Sequence, residues 1–153
     1  MNYWLFKSEP DVFSFEDLKR LPKKTDHWDG VRNYQARNFM RDDMKKGDLG
    51  FFYHSNCKNP GIVGIVSIVK NAYPDFTAFD KNSSYYDPKS NKENPRWFMV
   101  DVRYERPLIS LISLNDLKNQ SALKDFALVK RGNRLSVMPV SSKHWHYILK
   151  MEQ

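Results

Sequence analysis

Residues 49–69 read LGFFYHSNCKNPGIVGIVSIV, and this stretch decides the fold because two apolar segments flank a short polar loop. Aromatic residues dominate Leu49–His54 and β-branched residues dominate Ile62–Val69, as is typical of strands. The Pro-Gly pair in the loop between them favours a hairpin. The second segment is too continuously apolar for a half-exposed strand, so we predict that it is central, with Gly64 marking a bulge or a close approach to the backbone.

Shorter strands and helices are predicted on both sides of this hairpin. Further strands are expected at Tyr3–Phe6, Trp97–Tyr104 and Leu135–Val140, and helices are expected to begin after Ser14, to span Tyr34–Lys46, and to begin after Ser113 and after Ser141 or Ser142. The polar, proline-containing segment Asn71–Pro95 predicts a long loop. Strands interleaved with short helices, without regular strand–helix alternation, indicate one α+β domain over residues 1–153 with a mixed or barrel-like sheet.

Charge and aromatic content favour a nucleic-acid partner. The chain has 25 Lys and Arg against 18 Asp and Glu, a net charge of +7, and 14% aromatic residues. Cations neutralise phosphates and flat rings stack on bases, so this composition is typical of many nucleic-acid-binding domains. The single cysteine excludes an internal disulfide. No signal peptide and no apolar run of the ~20 residues that span a membrane are found, which predicts a cytoplasmic protein without a membrane partner.

Residue types that carry catalysis are not gathered in a recognisable motif. Gly-rich phosphate loops and dinucleotide-binding patterns are absent from the sequence. His144 and His146 would point to different faces of a helix, so they do not predict a metal site. His54 and Cys57 lack the motif that would support a nucleophile and its base. We therefore predict no metal, no cofactor and no enzymatic activity.

The stretch HWDGVRNYQARNF, residues 27–39, concentrates rings, arginines and amides just before a helix. Asp29-Gly30 is a turn dipeptide, so Trp28 and Arg32 are expected to emerge from a loop. Trp28 could be a core anchor and Asn33 a helix cap. In the functional interpretation, Trp28 is the flat wall of a pocket, and Asn33 with Ser8 offers hydrogen bonds to a planar polar ligand.

Several segments together resemble the EVE domain: YWLFKSEPDVFSFEDL, HWDGVRNYQARNFMRDDMKKGDLGFFYHSNCKNPGIVGIVSIV, YYDPKS, RWFMVDV and RLSVMPVS. The resemblance extends over residues 1–151. It implies a PUA-like fold, a β pseudo-barrel of mixed strands flanked by short helices, in the superfamily of the YTH and ASCH domains. It also implies that a modified base, of the 5-methylcytosine type, is flipped into a pocket.

The resemblance also implies a set of ligand-binding residues. Lys7 and Ser8 resemble the Lys-Ser pair that borders the methyl-base pocket of YTH domains, and Trp28 resembles the first tryptophan of their aromatic cage. The EVE pattern itself contains Asn33, Tyr53, His54 and Ser55. Further cage aromatics are expected by residue type among Trp97 and either Tyr85 or Tyr86.

Charged residues are assigned to the base edge and to phosphates. Asp29 is expected to accept from an exocyclic amine, as carboxylates do from cytosine. Phosphate contacts are expected from Arg32, Arg37, Lys130, Arg131 and Arg134. The segment VKRGNR has an alternative interpretation as a solvated basic turn.

The predicted partner is nucleic acid carrying modified bases, DNA rather than RNA, and the oligomeric state is left open. The alternative function is a small ASCH-like hydrolase acting on modified nucleosides. Such an enzyme would use Lys7 and Glu9, but its threonine would have to come from Thr25 or Thr77.

Overall fold

A computed structural model describes residues 1–152 and contains a mixed sheet of six strands with four short helices. The strands are β1 (Tyr3–Ser8), β2 (Thr25–His27), β3 (Leu49–His54), β4 (Gly61–Pro74), β5 (Phe98–Ser113) and β6 (Val137–Val140). The helices are α1 (Phe15–Arg20), α2 (Tyr34–Asn38), α3 (Leu114–Lys118) and α4 (Ser142–Met151). The predicted α+β class is confirmed.

The order of strands in the sheet is β2-β5-β4-β3-β1-β6. Only β1 and β3 pair in parallel, and the other neighbours are antiparallel. The predicted hairpin is β3–β4, and Ile62–Val69 belongs to β4, which lies centrally in the sheet between β5 and β3 as expected. Over residues 1–152, β2 and β6 remain the two edges of the sheet, so the expected pseudo-barrel is not closed.

Two hydrophobic cores lie on opposite faces of the sheet because successive strand residues point to opposite sides. Phe6 and Phe52 belong to one core, which also contains Trp28. Leu5 and Phe51 belong to the other core, which α4 covers. All four strand side chains are fully buried, so the centre of the sheet is fixed from both faces.

The close approach to the backbone predicted at Gly64 is present. An added Cβ at this position would lie 2.1 Å from Cε2 of Phe15, so the α1 ring packs directly on the β4 backbone. The β3–β4 register also shifts between Phe52 and Tyr53. Ser14 caps α1 in a capping box with Asp17, as a serine before a helix predicts.

The helix predicted over Tyr34–Lys46 is shorter than expected. Regular α-helix ends at Asn38, and a wider π-helical turn follows over Phe39–Asp43, closed by a hydrogen bond from Met44 N to Phe39 O of 2.9 Å. The wider turn places Met40 and Met44 in the core, where both are essentially buried.

Two boundaries on the β4–β5 side also differ from the prediction. β4 continues to Pro74, four residues into the expected loop, and β5 continues past Tyr104 to Ser113. Repeated register shifts let these two bent strands stay paired over this length. The three-residue strand β2 was not predicted, because it is too short to show alternation and depends on pairing with β5.

Candidate binding site

A cavity of about 440 Å³ opens where the two edges of the sheet come together. Lys7 and Ser8 line it from the end of β1, Asp26 and His27 from edge strand β2, and Ser136 from the residue before edge strand β6. The remaining lining residues are Glu9, Val12, Phe13, Trp28, Asp29, Gly30, Val31 and Tyr85. The volume lies within the range of about 300–1,000 Å³ found for small-ligand clefts.

Trp28 forms the inner wall of the cavity and is also anchored in the core. Its backbone N donates to Val100 O at 2.8 Å, which continues the pairing of β2 with β5. Its ring meets Phe6 and Phe52 edge-on, with centroids 5.1 and 5.6 Å away, and Phe13 at 6.5 Å. Only 8% of Trp28 is exposed, so its orientation is fixed before any ligand arrives.

Acidic side chains occupy one side of the cavity. The His27 imidazole lies between two carboxylates, with Nδ1 3.3 Å from Asp26 Oδ1 and Nε2 3.4 Å from Asp29 Oδ2. Burial raises the pKa of Asp29 above its ordinary value, and His27 opposes that shift. A desolvated carboxylate gains strongly from a hydrogen-bond donor, so this side of the cavity suits a ligand amine.

Lys7 and Ser8 form the floor at the end of β1. Burial lowers the pKa of Lys7, whose backbone N donates to Ser136 O at 2.8 Å. The Ser8 hydroxyl donates to Phe13 O at 2.6 Å. Its own carbonyl accepts from Ser55 N at 2.9 Å. Hydrogen bonds to three separate segments therefore hold the floor in place.

Tyr85 forms the outer wall by packing on the backbone of Gly30. Gly30 has φ +77, and an added Cβ would lie 2.5 Å from Tyr85 Cζ. Only glycine can combine this left-handed conformation with such close packing of the ring. Because 40% of Tyr85 is exposed, this wall remains partly open to solvent.

A buried ion pair, which we call the Arg32 clamp, holds this outer wall. Asp75 is fully buried, and its Oδ2 accepts from Gly30 N at 2.9 Å and from Arg32 Nη1 at 3.0 Å. Arg32 Nη2 donates to Tyr85 O at 2.8 Å and to Thr77 Oγ1 at 3.2 Å. Burial alone would raise the pKa of Asp75, but hydrogen bonds from Thr77, Gly30 and Arg32 lower it overall.

The clamp bears on the predicted role of Arg32. Its side chain does not line the cavity, and its guanidinium donates to protein oxygens. The structure therefore places Arg32 behind the wall, and a contact of Arg32 with phosphate stays a prediction.

Five other predicted ligand residues also lie outside the cavity lining. Asn33 caps α2 by accepting from Ala36 N at 3.0 Å. Tyr53 points into the second core, where burial raises its pKa to about 12. Trp97 is buried, stacks on Tyr34 with centroids 4.8 Å apart, and donates from Nε1 to Asp87. The other two are His54 and Ser55.

His54 supports the site through α1. Its Nε2 accepts from Phe15 N at 3.1 Å, which requires a neutral ring with the proton on Nδ1. Burial lowers the pKa of His54, in agreement with that requirement.

The basic residues predicted to meet phosphates fall into two groups. Arg37 donates to Arg96 O and to Asn38 Oδ1, and its guanidinium lies 4.7 Å from the centre of the Tyr34 ring. Lys130, Arg131 and Arg134 are exposed in a turn around Gly132, which has φ +80. This turn leads into Ser136 and the cavity within two residues of Arg134.

Sequence reasoning missed several residues that line the cavity, among them Phe13, Asp26, His27 and Ser136. His27 begins the stretch HWDGVRNYQARNF, and the neighbouring carboxylates Asp26 and Asp29 are the sequence signal that could have identified it. Ser136 gives no local signal, because only its pairing beside β1 brings it to the cavity.

Metal and membrane features are absent from the described part of the chain. Within residues 1–152, no group of three His, Cys, Asp or Glu side chains could hold a metal ion. Over the same residues, no helix has the length and apolarity needed to cross a membrane.

Comparisons with known proteins agree on one family. Residues 2–151 match the model of the EVE domain. Rat thymocyte nuclear protein 1 is 50% identical over 169 residues, which cover 99% of this chain and 74% of the rat protein.

Solved structures give the same result. A crystal structure of a protein from Pseudomonas syringae is 51% identical with a TM-score of 0.93, covering 99% of both chains. The human THYN1 protein, crystallised in complex with 5-methylcytosine containing DNA, is 48% identical with a TM-score of 0.94. That alignment covers 100% of this chain and 98% of the human chain.

Proposed function

This chain belongs to the EVE domain family, and we propose that it binds a 5-methylcytosine-type base flipped out of nucleic acid into the cavity beside Trp28. The observation that carries the proposal is the cavity itself, with aromatic walls, an acidic side and a basic turn at its margin. The human relative in complex with 5-methylcytosine containing DNA supports the same ligand class.

Each side of the cavity suits one part of such a base. The Trp28 ring offers a stacking surface, which contributes about 1–3 kcal/mol per base in single-strand binding. Asp29 accepts from the N4 amine of cytosine, and Lys7 can donate to a ring carbonyl. Tyr85 covers the exposed side. A base must leave the stack to reach these groups, which costs a few kcal/mol and favours a fixed pocket.

The partner and the location follow from the same proposal. DNA is favoured over RNA because the human relative was crystallised with DNA. The rat relative is named as a nuclear protein. For this chain a cytoplasmic location, with association to the nucleoid or a nuclear location in a eukaryote, stays a prediction.

Competition between three bases at one position of an oligonucleotide tests the proposal. Cytosine lacks the methyl group, and thymine keeps it but presents O4 in place of the amine. We expect 5-methylcytosine to bind best. We expect cytosine to bind about 10- to 200-fold more weakly, since burying one methyl discriminates only modestly. Thymine should bind more weakly than cytosine, because its O4 faces the Asp29 carboxylate. Equal affinity for all three would refute the proposal.

Replacing Asp29 with Asn tests the acidic side separately. An amide can donate to thymine O4, so Asp29→Asn should reduce the preference for 5-methylcytosine over thymine while the effect of the methyl persists. The matched control is Asp125→Asn, which makes the same charge change at an exposed position outside the cavity. A control that shifts the preference equally would show an effect of net charge alone.

One observation keeps the nucleoside hydrolase as an alternative. Lys7 and Glu9 both line the cavity, and burial lowers the pKa of Lys7. Neither Thr25 nor Thr77 lines it, so the third group of an ASCH-like site is not supplied there. Release of products from N-acylated nucleosides, abolished by Lys7→Ala, would favour the enzyme over the reader.

A further inference from the structure

We infer that a second basic surface, formed by Lys19, Arg20, Lys23 and Lys24, binds the nucleic-acid backbone beside the cavity. The Lys19–Lys24 surface, as we call it, covers the end of α1 and the turn before β2. The inference rests on the proposed function and adds a phosphate-binding surface to the turn of Lys130, Arg131 and Arg134.

The Lys19–Lys24 surface lies near the cavity at one edge of the open sheet. Both edges of the sheet reach the cavity, β2 through Asp26 and His27 and β6 through Ser136. Along the chain, the Lys19–Lys24 surface comes directly before β2, and the turn of Lys130–Arg134 comes before β6. A nucleic-acid strand that crosses the cavity therefore meets a basic segment beside each edge of the sheet.

A groove lies beside the surface at edge strand β2. It has a volume of about 590 Å³ and is lined by Pro22, Lys23, Thr25, Val69 and Arg103. Thr25 belongs to the groove, and the next residue, Asp26, belongs to the cavity. Consecutive residues of β2 therefore line the groove and the cavity, with their side chains on opposite faces of the strand.

Two ammonium groups of the surface lie near one aromatic ring, and within residues 1–152 neither forms an ion pair. Lys19 Nζ and Lys24 Nζ lie 5.9 and 5.6 Å from the centre of the same Tyr104 ring. Within residues 1–152, the side chains of all four basic residues are exposed and make no hydrogen bond or ion pair. The nearby Asp17 is engaged with Ser14 in the capping box. Exposed cations gathered on one short segment gain from a bound polyanion.

The backbone of the turn is strained where it presents the charges. Lys23 has φ 57 and Lys24 has φ 53, a left-handed conformation that non-glycine residues rarely adopt. Asn or Gly would fit this turn with less strain. Two lysines in succession are unfavourable for such a turn, which motivates a binding role for their charges.

The strain provides a variant that separates binding from folding. Lys23→Asn with Lys24→Asn removes two charges and tolerates the left-handed conformation, so the melting temperature should stay equal or rise. If both lysines contact phosphate, the slope of log affinity against log salt should fall by about 1.8. The ratio of wild-type affinity to variant affinity should then fall about 12-fold between 50 and 200 mM salt.

The control is Lys118→Gln with Lys150→Gln, which removes two exposed lysines from the last turns of α3 and α4. We expect its slope to stay close to that of the wild type. Lys19→Gln with Arg20→Gln tests the same surface from the α1 side without changing the turn. An unchanged slope in both surface variants, or an equal fall in the control, would overturn the inference.

The same titrations keep the two proposals apart. Each variant is measured on duplexes with 5-methylcytosine and with cytosine at the same position. If the wild type shows no preference for 5-methylcytosine over cytosine, base reading is refuted. The slopes of log affinity against log salt then still test the role of the surface. A preserved methyl preference with unchanged slopes would refute the surface alone.

Discussion

Replacing Arg32 with Gln should destabilise the protein strongly, because it leaves the carboxylate of Asp75 buried without its cation. Asp75 is fully buried and Arg32 supplies one of its hydrogen bonds directly. Removing one partner of a buried ion pair costs about 3–5 kcal/mol. Gly30 N, Thr77 N and Thr77 Oγ1 still donate to Asp75, so we expect a loss of about 3 kcal/mol, near the lower end.

Thermal and urea unfolding measure this loss. For a domain of this size, 1 kcal/mol corresponds to about 2–4 °C, so Arg32→Gln should melt about 6–12 °C lower. Arg32→Lys keeps the charge but cannot bridge Asp75 and Tyr85 O together, so it should lie between Gln and the wild type. A double-mutant cycle with Asp75→Asn should give a coupling of about 1–3 kcal/mol.

The clamp also predicts an effect on binding. Arg32 holds Tyr85 through its backbone carbonyl, so a weakened clamp should release the outer wall and reduce affinity for the modified base. Additive effects in the cycle, or an Arg32→Gln variant that melts within ~1 °C of the wild type, would refute the reasoning. Unchanged affinity in a destabilised but folded variant would show that the clamp serves folding alone.

Two further predictions concern α1. His54 must be neutral to accept from Phe15 N, and burial lowers its pKa, so stability should be complete above the unfolded value of about 6.5 and fall as pH decreases through the folded pKa. Urea unfolding at about pH 7.5 and 5.5 should show this fall in the wild type and less of it in His54→Gln, and equal falls would contradict it. Gly64→Ala would push a methyl against the Phe15 ring and should cost about 1–3 kcal/mol. Phe15→Leu in the same chain should recover part of that loss in thermal melts, and no recovery would place the strain elsewhere.

Local chemistry explains which features of the fold the sequence predicts. The β3–β4 hairpin, the Ser14 cap and the close approach at Gly64 all depend on residues near one another or on a strong apolar pattern. The predicted end of α2 at Lys46 was wrong because a π-helical turn has nearly the same apolar spacing as an α-helix. β2 was missed because its three residues pair with a distant strand.

The candidate site is predictable only where a single segment builds it. Lys7 and Ser8 end strand β1, and Trp28 and Asp29 lie at the Asp29-Gly30 turn, so local patterns and the family resemblance together indicated all four. The role of Arg32 depends on Asp75, 43 residues away. A loop arginine gives no sign of such a partner.

The cavity is acidic inside a protein of net charge +7, and this contrast has a physical consequence. Glu9, Asp26 and Asp29 line the cavity together with Lys7, while exposed basic residues lie on both segments that lead to the sheet edges. Phosphates are attracted to those segments and repelled from the carboxylates, so the backbone of a nucleic acid should stay at the rim. A base carries amine donors that carboxylates can accept, so only the base gains by entering. In the proposed function, the basic rim therefore supplies affinity and the acidic cavity selects the base.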